Sequence, residues 1–193
     1  MTPVYSRPMT NQFTRILLGL LLAAASACSV AEVEKSANPG VKGTEFNWWP
    51  KLPDVPGWQQ DLESSFQNNI NALAPAGKRF SGSDTLIYAK AVFKGHLPEI
   101  KSLDALIENE KSDFLISAPG GLIRASPGLS TADGRKVISL TYIRKGQTNW
   151  ERVSYLDEDE FYIIFTISSD TRAGFDASSK AYEDLISRYK EKP

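Results

Sequence analysis

The apolar positions of residues 150–190 follow two different periods. In "FYIIFTIS", Phe161, Ile163, Phe165 and Ile167 fall on one side and Tyr162 and Ile164 on the other. A period of two predicts a strand, and apolar residues on both sides predict one covered on both faces. "NWERVSYL" just before it reads as a partner strand, with Asp157–Glu160 as a charged hairpin turn. Beyond it the period lengthens. Phe175, Tyr182, Ile186 and Tyr189, with Leu185 beside them, make one face of a helix that covers one side of the strand pair. Asp170 or Thr171 supplies the cap at its start.

The same reading applied upstream predicts a mixed set of elements. In "DLESSFQNNINALAP", Leu62, Phe66, Ile70 and Leu73 form a helical stripe that Pro75 and Gly77 end. "DTLIYAKAVFKG" is rich in β-branched and aromatic residues and predicts a strand over 84–95. After Pro98, Ile100, Leu103, Leu106 and Ile107 mark a second helix in "EIKSLDALIENEKS". "DFLISAPGGLIRAS" predicts one or two short strands around the Pro119-Gly120-Gly121 turn. Asp133-Gly134 is a hairpin signal leading into the strand "RKVISLTYIRK". The sum is an α+β domain over residues 55–193, an antiparallel sheet with helices packed on it.

Residues 28–54 break these patterns. The polar, Pro/Gly-containing stretch 29–47 reads as a tether. "FNWWPKLPDVPGW", with three Trp and three Pro, has no period, and its prolines exclude a helix or a central strand. Two readings stand. Trp48, Trp49 and Trp58 pack an irregular strap onto the domain, or they offer an aromatic surface to a partner or a membrane interface. In the second case they are the candidate partner-binding residues.

Residues 1–27 follow a third rule. Arg7 and Arg15 precede the uncharged run "ILLGLLLAAASA", no acid occurs before Glu32, and Cys28 is the only cysteine. A basic start, a short apolar run and small residues at a cut make a secretory signal. The run is shorter than the ~20 residues of a membrane span. Ala25-Ser26-Ala27-Cys28 resembles the lipobox of bacterial lipoproteins, although Ala25 stands where Leu is more usual. The resemblance implies a diacylglycerol on the Cys28 thiol, cleavage before it, and attachment to the membrane through the lipid. Ser29 after the cysteine resembles the pattern of lipoproteins forwarded to an outer membrane in a two-membrane host, which would place the protein on that membrane's periplasmic face. Met9 is an alternative start. Ordinary signal cleavage after Ala27 or Ala31, or a buried helix, would account for the same residues without lipidation.

Charge narrows the partners. The net charge is −1, and removal of residues 1–27 takes it to −3. The basic residues are scattered, so no nucleic-acid surface is expected. One cysteine excludes an internal disulfide, and the domain is long enough to bury a core without one.

Residues 151–190, "ERVSYLDEDEFYIIFTISSDTRAGFDASSKAYEDLISRYK", resemble the PsbP-like fold in their hairpin with an acidic turn feeding a long final helix. "DTLIYAKAVFK" and "SLDALIENEKSDF" extend the likeness over about residues 57–190. The resemblance implies a scaffold whose members act mostly as binding or assembly factors without a shared active site, and a fold does not fix a function.

Candidate chemistry is sparse. His96, the single histidine, lies in "KGHLP", and there is no Gly-x-Ser-x-Gly elbow to partner it. One histidine and a consumed cysteine do not make a zinc site. Asp157, Glu158, Asp159 and Glu160 lack calcium-loop spacing and read as a solvated turn. No phosphate-binding glycine loop occurs, so neither metal nor cofactor is expected. The expectation is a non-catalytic, membrane-anchored envelope module that binds another envelope protein or a small ligand. Its rival is an envelope hydrolase using carboxylates or a Ser-Lys pair.

Overall fold

The computed structural model describes residues 33–40 and 43–190. In chain order the elements are strands β1 (Val33–Gly40), β2 (Gly43–Pro50) and β3 (Trp58–Gln60), helix α1 (Leu62–Asn68), strands β4 (Asn71–Pro75) and β5 (Thr85–Phe93), and helix α2 (Leu103–Ser117). Strands β6 (Leu122–Ala125), β7 (Leu129–Ser130), β8 (Lys136–Ile143), β9 (Trp150–Glu158) and β10 (Phe161–Ser169) follow, and helix α3 (Arg172–Arg188) comes last. The architecture is the expected α+β one, an antiparallel sheet with helices on it.

Strand β10 is central because both of its faces are apolar and need cover. It pairs with β5 on one side and β9 on the other. The eight-stranded sheet runs β3-β4-β5-β10-β9-β8-β6, with β7 also paired to β8. On one face Phe161, Ile163, Phe165 and Ile167 meet Phe175, Tyr182, Leu185, Ile186 and Tyr189 of α3 and the residue after it. On the other face Tyr162 and Ile164 join Tyr142, Val153 and Tyr155 under Leu106 and Ile107 of α2. Thr171, not Asp170, caps α3: its hydroxyl accepts from the Gly174 amide at 3.0 Å. Ser102 caps α2 by accepting from the Ala105 amide at 3.1 Å.

Three stretches depart from the sequence reading. The helix expected to run through Leu73 stops at Asn68, because Asn69 takes a left-handed conformation (φ 52°). Asn tolerates that region better than most residues. Ile70 and Leu73 therefore serve the sheet side of the fold, and Asn71–Pro75 pair with β3 and β5. The segment Asp113–Ser117, expected to begin a strand, continues α2, and only Leu122–Ala125 beyond the glycine turn form one. Part of the expected tether pairs as the β1–β2 hairpin, and β2 carries Trp48 and Trp49 to Pro50. The irregular strap is thereby confined to residues 51–57.

Candidate functional site

The two faces of the sheet are filled differently. The α3 face carries the larger buried cluster, whereas on the α2 face Leu106 and Ile107 are buried and Leu97, Ile100, Leu103 and Phe114 pack around them only partly buried. Toward the C-terminal end of α2 a cleft of about 370 Å³ stays open between that helix and strands β8 and β9. The helix contributes Glu110, Asp113, Phe114 and Ser117, and the sheet contributes Tyr142, Glu151 and Tyr155. Alternation explains the set from the strands. Residues 151, 153 and 155 of β9 share a face, and the register puts Tyr142 of β8 opposite Glu151.

A chain of hydrogen bonds lines the floor. The Tyr142 and Tyr155 hydroxyls lie 2.7 Å apart, and Tyr155 Oη donates to Glu110 Oε2 at 2.9 Å. Lys90 Nζ, from β5, donates to Glu110 Oε1 at 3.2 Å. The Phe114 ring stands edge-on to Tyr142 at 5.0 Å, and the Arg144 guanidinium lies 5.4 Å over Phe114. Burial pushes Tyr142 up to about 12 and, with the nearby Glu110 charge, raises Tyr155 further. Both are neutral hydroxyls at pH 7. Burial also raises Glu151, against the opposing pull of Arg144.

The sequence-derived candidates lie elsewhere. Trp49 is 3% exposed and meets Phe66 at 5.2 Å. Trp48 is half-buried, 5.8 Å from Phe161, and its amide donates to Asn69 Oδ1 at 3.2 Å. Trp58 is half-buried against the α3-side core. A partner could reach only the outer edges of Trp48 and Trp58. Cys28 lies outside the described residues. His96 is exposed in a 3₁₀ turn after β5, edge-on to Phe93 at 5.2 Å.

The acidic turn is not uniformly solvated. Asp157 is exposed and pairs with Lys94, but Glu158 is 0% exposed. It accepts from Tyr189 Oη at 3.0 Å and pairs with Lys190 Nζ at 2.9 Å. Because β9 extends through Glu158, neighbouring carboxylates leave on opposite faces and do not converge. Among the described residues no group of three or more His, Cys, Asp or Glu side chains could hold a metal ion, and no helix is long and apolar enough to cross a membrane.

None of Glu110, Tyr142, Glu151 and Tyr155 was marked by a motif. The one signal was the i, i+2, i+4 set Glu151, Val153, Tyr155, polar at both ends of a face that is otherwise apolar.

No protein-family model matches the chain, and no curated protein matches it. Among solved structures it is similar to PA94 of Pseudomonas aeruginosa, a protein of unknown function, at 12% identity over 82% of this chain and 98% of that one, with a TM-score of 0.49. It is also similar to the cyanobacterial PsbP of Synechocystis sp. PCC 6803, at 11% identity over 85% and 95% of the two chains, with a TM-score of 0.43. A third is the Ran-binding protein Mog1p of Saccharomyces cerevisiae, at 10% identity over 78% and 85%, with a TM-score of 0.39.

Proposed function

We propose that the protein is a lipid-anchored, non-catalytic module of the bacterial cell envelope that binds a small ligand or another envelope protein in the cleft beside α2. The observation that carries the binding reading is the cleft itself. It is open, about 370 Å³, and combines aromatic walls with a few convergent polar groups. That volume and lining are those of ligand sites, which run from ~300 to ~1,000 Å³. Its hydroxyls fit binding better than hydrolysis. Tyr142 and Tyr155 are shifted away from ionisation, which makes poor nucleophiles, and Ser117 Oγ donates to the Phe114 carbonyl at 3.0 Å instead of to a base.

Anchoring rests on the order of basic, apolar and small residues ending at Cys28. Several acyl chains at ~0.8 kcal/mol per buried methylene hold a protein firmly to a bilayer. With Ser29 behind the cysteine, the periplasmic face of an outer membrane is the proposed site in a two-membrane host.

Two measurements test the reading. Labelled palmitate should enter the wild-type chain and not Cys28→Ala, and equal labelling would remove the anchor. An affinity pull-down and a ligand screen from solubilised membranes should give a partner or ligand that Ser117→Trp loses, since an indole at the mouth fills the cleft. Retention of the same partner by Ser117→Trp would move the binding site elsewhere, with the edges of Trp48 and Trp58 as the next surface. Turnover of an envelope substrate that Ser117→Trp abolishes would favour the hydrolase.

A further inference from the structure

The hydrogen bonds in the cleft run in one direction, and that direction selects a class of ligand. A carboxylate in an ion pair only accepts, so Tyr155 is the donor in its bond to Glu110, whose other oxygen is held by Lys90. The one proton of Tyr155 is committed there. Tyr142 must then be the donor in the bond between the two hydroxyls. Tyr142 is 5% exposed and lines the cleft, so what it has left to offer is lone pairs. Ser117 is in the same position, because its proton goes to the Phe114 carbonyl.

The charged groups point the same way. Glu151 stands on β9 opposite Tyr142, and its carboxylate takes part in no hydrogen bond or ion pair among the described residues. The one cationic group of the lining, Arg144, lies over Phe114 and acts on Glu151 through space without a hydrogen bond to it. Asp113 follows Glu110 by one turn of α2. The lining thus holds three carboxylates against one guanidinium, with acceptor oxygens between them and the Phe114 and Tyr142 rings as walls. Such a cleft complements a group that brings only donors and positive charge, and aromatic faces favour the same ligand. An anion would face the Glu151 carboxylate, which has no hydrogen-bond partner among the described residues, and no free hydroxyl proton.

We propose that the cleft binds an organic cation, a primary ammonium or a guanidinium, with Glu151 as its counter-charge and Tyr142 as a second acceptor. The inference rests on the reading of the cleft as the binding site and adds the chemistry of what binds there. The cation comes from a free amine or from the Lys or Arg side chain of a protein partner. The raised pKa of Glu151 agrees with this: burial outweighs the pull of Arg144, and a bound ammonium would stabilise the charged carboxylate further.

The test is a titration of the full chain followed by backbone amide NMR. The probes are putrescine for the free amine, N-acetyl-argininamide for a partner side chain, and glutarate as an anion of similar length. Saturable shifts confined to residues 103–117, 136–144 and 150–158 are expected with one or both cations and not with glutarate. Loss of a charge-assisted hydrogen bond should weaken the cation by about tenfold or more in Glu151→Gln. Tyr142→Phe should weaken it by less, and the circular dichroism of both variants should match the wild type. Putrescine alone would identify a free amine, and argininamide alone a partner side chain. Wild-type affinity in Glu151→Gln, or shifts with glutarate but not with the cations, would overturn the proposal while leaving the cleft a binding site. Shifts with none of the three probes would also overturn it, and the Ser117→Trp pull-down then decides the broader reading by itself.

Discussion

Trp49 and Glu158 are the two residues whose burial says most about how the fold is held. Trp49 fills a place between the β1–β2 hairpin and α1, with its ring against Phe66. Its truncation leaves a cavity that the neighbouring elements cannot close. Trp49→Ala should therefore lose ~3–5 kcal/mol in urea unfolding, and Trp58→Ala, at a half-buried position, should lose less. That these tryptophans pack inward was one of the two readings the sequence left open, favoured because large aromatics are seldom left on a surface. That strands β2 and β3 would carry them was not legible. Glu158 was not legible. In a run of four carboxylates nothing marks the one that turns inward, and its partners Tyr189 and Lys190 lie at the far end of α3. Lys190→Met removes the ammonium from a carboxylate with no exposure to water. Breaking a buried pair this way should cost ~3–5 kcal/mol in chemical denaturation, with much of the loss recovered by adding Glu158→Gln.

At the scale of elements, legibility followed length and regularity. The β9–β10 hairpin and α3 have nine, nine and seventeen residues, and their periods are unbroken. The cap of α3 is a local feature with a local test. Thr171→Ala should cost ~1 kcal/mol of stability in a thermal melt, whereas Asp170→Ala, outside the cap, should leave the melt near that of the wild type. The stretch 62–75 shows where the period misleads. Leu62, Phe66, Ile70 and Leu73 match a helical stripe, but Leu62 is exposed and the other apolar side chains are set by two elements. What decides is Asn69, whose left-handed backbone ends α1, and the open side of β5, which recruits Asn71–Pro75 as a strand. That recruitment is a tertiary effect, and no window of fifteen residues contains it.

On the scale of the whole molecule, the cleft could not be read from the sequence because its parts meet only when β8, β9 and α2 are assembled. The fold had its own pattern, whereas the site is a by-product of a helix that covers only part of a sheet face. Glu151 shows what the site demands of the fold. Its folded pKa is raised above the ordinary 4.5. Stability therefore falls as pH rises through the interval between the two values, and above both the charged form works against folding. The groups that surround it, Glu110 from α2, Tyr142 of β8 and Arg144 just beyond it, and Lys90 and Tyr88 from β5, include a single guanidinium and an ammonium already paired. Glu151→Gln should accordingly melt at a higher temperature than the wild type at pH 7, and the gap should close as pH falls below 4.5, the ordinary value. A variant that is sturdier and yet loses the cation would separate the two roles of this residue.

The order of the strands also sets a timetable. The strand at the middle of the sheet is the last to be synthesised, and until residues 161–169 emerge, β5 and β9 have no common neighbour. An incomplete chain can form its early hairpin and short helices but cannot close a core, because the contacts that reward closure are distant in sequence. A polypeptide proposed to cross a membrane before it folds gains from such a delay. On that proposal the chain would stay threadable until its final strand and helix are released, and the core would close only then.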